Sequence, residues 1–235
     1  MMVGLSTALL TVLLTSAVPV VPVAAGNALT LPAQRHALRM EVGGGRPPVW
    51  LLAIQQAGAN GKGLSFYRSD DGGNSYQFSV SIQPDATHTD RADLVAVGKD
   101  IALVYSWEAS HLTASSRHDV YFQWWRYRES SNDWAPQPAV RIFDADSSTA
   151  YSRALLARDS KGRLWVQAFR LESDGGSTAV LSVSSDGGAS FQRQADLGHV
   201  KRRGGGRLLS LGTKLLFVYA MHDGFEPTRM RVRTR

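Results

Sequence analysis

Cysteine is missing altogether, and its absence excludes disulfides, Cys-ligated zinc and thiol nucleophiles in one step. Lysine is scarce beside arginine, so the net charge of +6 comes largely from arginines scattered through strand-like segments. Only Lys201-Arg202-Arg203 forms a short basic cluster, and no nucleic-acid-binding motif accompanies it. No nucleic-acid partner is expected. The six histidines lack a metal spacing such as His-Glu-x-x-His. The glycine-rich run from Gly58 to Gly63 is followed neither by Gly-Lys-Ser/Thr nor by a helical pattern, which rules out a phosphate loop. Ser116-Arg117-His118-Asp119 sets triad residue types side by side, but a triad is a matter of geometry and not adjacency. Neither a metal nor a cofactor is expected.

Charge is also missing from the start of the chain, where nothing ionisable precedes Arg35. Val3 to Val23 is almost wholly apolar or small and runs into Ala24-Ala25-Gly26-Asn27-Ala28. Residues 1–28 read as a secretory signal peptide cleaved after Ala25 or Ala28, the alternative being an N-terminal anchor. Pro19 and Pro22 would interrupt a spanning helix and favour the signal peptide. Either way the protein is exported, secreted or held in the cell envelope. No later run is apolar enough for a membrane helix.

Residues 29–235 carry short β-rich runs bounded by Gly, Asp, Asn and Ser, the pattern of an all-β domain. The runs repeat. Leu94-Val95-Ala96-Val97-Gly98-Lys99-Asp100-Ile101-Ala102-Leu103-Val104-Tyr105 aligns without a gap with Leu208 to Tyr219, 114 residues further on. Leu155 to Val166 is a third copy with one inserted residue, and Leu38 to Ile54 is a looser fourth. Each reads as strand, tight turn, strand.

A second motif has nearly the same interval. Ser69-Asp70-Asp71-Gly72-Gly73-Asn74-Ser75-Tyr76 and Ser184-Ser185-Asp186-Gly187-Gly188-Ala189-Ser190-Phe191 share the frame Ser-x-Asp-x-Gly-x-Ser-aromatic, with the aspartates 115 residues apart. The Asp can accept backbone N–H groups just ahead of it, Gly supplies the positive φ that closes the turn, and the aromatic folds back on the sheet. This frame resembles the Asp-box (BNR) repeat of sialidase-like β-propellers. Half the interval, about 57 residues, suits a four-stranded blade. A degenerate middle box is then expected near Arg128, where Val120 to Tyr127 leads through a turn to Asp133-Trp134. The resemblance implies a propeller of sialidase type with about three and a half of six blades present, and hence a chain truncated at its C-terminus.

The same resemblance implies roles. Ser69, Asp71, Gly73, Ser75 and Tyr76, with Ser184, Asp186, Gly188, Ser190 and Phe191, would be structural staples at the blade periphery. Arginines opening the inner strands would hold a sugar carboxylate at the channel mouth: Arg35, Arg91 and Arg153, with Arg207 a further member. Arg35 keeps the place of the family's Arg-Ile-Pro motif without its Ile-Pro. A solvated arginine at a strand start would look the same in sequence. No acid stands in the loop Gln55 to Gly63, so Asp90 and Asp93 are the candidate substitutes for the acid/base, with Asp85 behind them. No motif singles out a nucleophile among Tyr105, Tyr151 and Tyr219, or a partner for it in Glu108 or Glu172.

Two functions follow. One is an exported glycoside hydrolase of exo-sialidase type, present here as a fragment and acting on terminal acidic sugars. The other is a non-catalytic propeller that binds glycan or protein. The expected partner is a glycan or other anionic saccharide, and the sequence sets no oligomeric state.

Overall fold

A computed structural model describes residues 35–56, 63–83, 92–108, 118–194, 196–200, 205–212, 214–221 and 229–234. The apolar leader, the glycine-rich run after Gln56, Asp85, Asp90, Arg91 and the Lys201-Arg202-Arg203 cluster lie outside the described residues. The described chain is all-β, as expected, with no helix among the described residues.

It forms four antiparallel sheets in chain order. The first is β1 (Ala37–Met40), β2 (Val49–Gln56), β3 (Gly63–Ser69) and β4 (Gln77–Gln83), each pairing with the next. The second is β5 (Asp93–Val97), β6 (Asp100–Glu108), β7 (His118–Arg128) and β8 (Asp133–Pro136), with β9 (Val140–Phe143) also on β7. The third is β10 (Ala150–Arg158), β11 (Leu164–Leu171), β12 (Ser177–Ser184) and β13 (Gln192–Arg193), with β14 (Gly198–Val200) also on β12. The fourth holds β15 (Gly205–Leu211), β16 (Lys214–Met221) and β17 (Arg229–Thr234).

The gapless repeat is also a repeat of register. Val97 pairs with Asp100 and Leu211 with Lys214, each across a two-residue turn. Gly98 and Gly212 open those turns at φ 61° and 62°, a backbone that a Cβ would oppose and that suits the twist of a hairpin. The middle hairpin is where the period puts it, between β7 and β8, with Asn132 at φ 51° in place of a glycine.

Successive sheets pack face to face, each pair enclosing its own apolar layer. In β6 the odd positions Ile101, Leu103 and Tyr105 face the first sheet, while Ala102 and Val104 face the third. In β11, Leu164, Val166 and Ala168 face the second sheet, while Trp165 and Phe169 face the fourth. Period-two alternation therefore buries both faces, which is why these strands read as unbroken apolar runs. Truncating one such leucine, Leu103 for example, would cost about 2–5 kcal/mol. The opening strands β1, β5, β10 and β15 touch in succession, so the four sheets converge along them.

Candidate functional site

The opening strands bring two of the expected site residues together. Asp93, at the start of β5, is buried. Its Oδ1 accepts Arg35 Nε and the Arg35 backbone N, each at 2.8 Å, and its Oδ2 accepts Arg35 Nη2 at 2.8 Å. Leu94 N reaches Oδ1 at 3.0 Å and Leu156 N reaches Oδ2 at 2.7 Å, while Arg35 Nη2 also donates to the Leu156 carbonyl. One carboxylate thus joins the segment before β1, the start of β5 and the middle of β10. A guanidinium fork suits a carboxylate in this way, but here the carboxylate is the protein's own. With both oxygens engaged by five donors, Asp93 ties three sheets together.

Arg153 is placed differently. Its φ is 56°, one of two positive values among the described non-glycine residues. Between Ser152 and Leu155 the register slips against Phe169 and Gln167, a one-residue bulge in β10. The extra residue keeps both Tyr151 and Ala154 on the face toward the second sheet. A left-handed backbone at a long side chain costs about 1–3 kcal/mol and is held only by surrounding structure. Arg153 precedes Leu156 along β10, on the starting side of the Arg35–Asp93 lock. Arg207 is exposed on β15.

A polar row crosses the third sheet near that same end. Tyr151, Arg170, Thr178 and His199 stand directly opposite one another across β10, β11, β12 and β14. Arg170 meets Glu172 at 3.0 Å and Asp196 at 3.2 Å, and Arg193 meets Asp196 at 3.0 Å. His199 Nε2 lies 3.2 Å from Asp174. The Glu172 carboxyl is held below its usual range by the Thr178 hydroxyl first, against burial and with help from Arg170. Burial raises the Tyr151 phenol, and the Arg193 and Arg170 charges oppose that rise. Of the other tyrosine and glutamate candidates, Tyr105 is buried and stacked on Tyr121 at 5.8 Å, and the Tyr219 and Glu108 side chains lie outside the described residues.

The Asp boxes occupy the outer turns, between β3 and β4 and between β12 and β13. Ser69 Oγ donates to Asp71 Oδ1 at 2.7 Å and accepts Gly73 N at 2.9 Å. Asp71 also accepts Asn74 N and Ser75 N at 3.0 Å and Ser75 Oγ at 2.6 Å. The second box repeats this with Ser184 and Ser190 around Asp186, at 2.7 Å and 2.5 Å from the two hydroxyls. Hydrogen bonds from Ser75 in one box and Ser190 in the other hold each carboxyl far below the ordinary carboxylate range. The second box also docks on its neighbour, since Trp124 Nε1 donates to the Gly187 carbonyl at 2.7 Å and Phe191 lies 5.3 Å from Phe122. A cleft of about 510 Å³ lies beside the first box, bordered by Arg68, Asp70, Phe78 and Asp133. It belongs to the outer strands and is separate from the convergence of the opening ones.

Two buried carboxylates carry no sequence signature. Asp119 accepts Ala145 N at 2.7 Å and Tyr121 Oη at 3.0 Å, and burial first, then Asp119, pushes the Tyr121 phenol up to about 12. Asp159 closes the β10–β11 turn by accepting Lys161 N and Arg163 N at 3.0 Å and Trp165 Nε1 at 3.0 Å.

No protein-family model matches the chain, and no curated protein matches it in sequence. Among solved structures it is similar to a protein of unknown function from Dyadobacter fermentans DSM 18053, at 16% identity and a TM-score of 0.57. That alignment covers 84% of this chain and 58% of the other. It is also similar to an exo-beta-1,3-galactanase from Phanerochaete chrysosporium, solved with beta-1,3-galactotriose, at 12% identity and a TM-score of 0.50. There 90% of this chain and 50% of the other are covered, so the chain spans about half the length of these neighbours. At such identities the likeness is one of fold, an all-β chain of antiparallel sheets.

Proposed function

We propose that the four sheets are successive blades of an Asp-box propeller of sialidase type, and that the exported chain binds acidic saccharides without cleaving them. The observation that carries this reading is the Arg35–Asp93 lock. The expected first carboxylate-binding arginine is engaged by a buried acid at 2.8 Å, and that acid is itself one of the two candidate proton donors. A sugar carboxylate would have to displace Asp93 from five donors to reach Arg35 in the hydrolase manner. Arg153, raised on its bulge at the starting end of the opening strands, is the arginine we assign to the saccharide.

The hydrolase remains the second reading, acting on terminal acidic sugars. It draws on the galactanase-like fold and on Tyr151 standing opposite Arg170 beside Glu172. Incubation with a fluorogenic sialoside separates the two. Binding without release of the fluorophore is the expected result. Release that disappears in Tyr151→Phe would establish the hydrolase instead.

A further inference from the structure

The two Asp boxes share their staples but not the residues beside them. A shift of 115 residues lays Ser69, Asp71, Gly73 and Ser75 on Ser184, Asp186, Gly188 and Ser190. The same shift lays Arg68, Asp70 and Phe78 on Val183, Ser185 and Arg193. Strand register agrees with it, since Arg68 pairs with Gln77 as Val183 pairs with Gln192. The second box closes without an Arg, an Asp or a Phe at those three places. In the first box all three line the cleft of about 510 Å³, and Ser131 and Asp133 of the β7–β8 turn line it from the next sheet.

The charges at this cleft are already partnered. Asp70 takes Arg68 Nε at 2.9 Å and Nη2 at 2.6 Å, while Arg68 also donates to the Asn132 carbonyl and lies 5.9 Å from the Trp134 ring. Asp71 is filled by its own box, and Asp133 accepts Trp134 N at 2.7 Å with Arg128 3.7 Å away. The lining holds three carboxylates, Asp70, Asp71 and Asp133, against the one guanidinium of Arg68, so it repels an acidic sugar. Phe78 adds an apolar element. It is 55% exposed, yet held edge-to-face on Tyr67 at 6.0 Å. A fixed, exposed ring among hydroxyl, amide and carboxylate groups suits a ligand with one apolar face and a rim of hydroxyls.

We infer that the cleft is a second saccharide site, taking a neutral mono- or disaccharide. Phe78 lies under the C–H face of a pyranose ring, and Gln77, Ser131 and Asp133 take its hydroxyls. The site is separate from Arg153 and does not rest on the role assigned to that arginine. With no charged bond to its ligand, it binds with a Kd of about 1–10 mM. That is too weak to give heat in calorimetry at the concentrations that saturate a charged site.

Saturation-transfer NMR of the full chain with cellobiose at millimolar concentration tests this. Transfer to the pyranose C–H protons is expected in the parent, and it should fall to background in Phe78→Ala and stay unchanged in Arg153→Gly. Should Phe78→Ala lose its β-sheet circular dichroism, Phe78→Arg replaces it, with the residue that the second box carries at the same register. No transfer in the parent, transfer that survives the loss of Phe78, or transfer that disappears with Arg153 would each overturn the inference.

Discussion

Gly188 of the second Asp box lies so close to Phe122 of the second sheet that a Cβ there would stand 2.3 Å from the ring's Cε1. Its counterpart Gly73 has the same φ of 93°, yet a Cβ would meet only the Tyr76 hydroxyl at 3.4 Å. The comparison separates backbone strain from packing between sheets. Gly73→Ala carries the strain alone, about 1–2 kcal/mol. Gly188→Ala adds overpacking and should cost about 1–3 kcal/mol more. Urea unfolding of the two variants measures the difference, and equal midpoints would contradict the docked position of the second box.

The lock between Arg35 and Asp93 predicts a large effect from a single substitution. Asp93→Ala leaves the Arg35 guanidinium and the Leu94 and Leu156 amides without their acceptor, at a cost of about 3–5 kcal/mol. Arg35→Lys should recover only part of that stability, because an ammonium cannot offer two parallel donors to one carboxylate. Thermal melts of both variants check the order.

Three carboxyls predict where acid weakens the fold. Asp71, Asp186 and Asp146 have folded values below their unfolded ones, the last lowered from 3.8 to about 2 by the Ser148 hydroxyl, the Ser148 amide and Thr149. A depressed carboxyl stabilises the fold fully above its unfolded value, and that contribution is lost as pH falls toward the folded one. Melting temperature should therefore hold from pH 7 to about 4 and fall between about 4 and 2. Ser75→Ala and Ser190→Ala should flatten that fall, by removing the donors that favour the charged form.

What the sequence disclosed was whatever is local. The Asp boxes, the Gly98 and Gly212 turns and the position of the β7–β8 hairpin depend on residues a few positions apart, so their spacing is their signature. The role of Asp93 could not be read in this way. Its partners lie 58 and 63 residues off, and a lone aspartate at a strand start looks like a candidate acid. Arg153 was singled out as an arginine opening a strand, but its bulge was hidden because no Gly or Asn marks the positive φ. The row from Tyr151 to His199 depends on register across four strands, which composition does not encode.

Saccharide binding by Arg153 is the centre of the account, and titration calorimetry with sialyllactose and neutral lactose tests it most directly. Arg153→Gly serves as the paired variant, since glycine adopts the left-handed backbone without the strain that a Cβ brings. We predict saturable binding of the acidic sugar to the parent, none of the neutral one, and loss of binding in a variant that keeps the parent's β-sheet circular dichroism. Unchanged affinity in Arg153→Gly, or no heat with either sugar, would contradict the account.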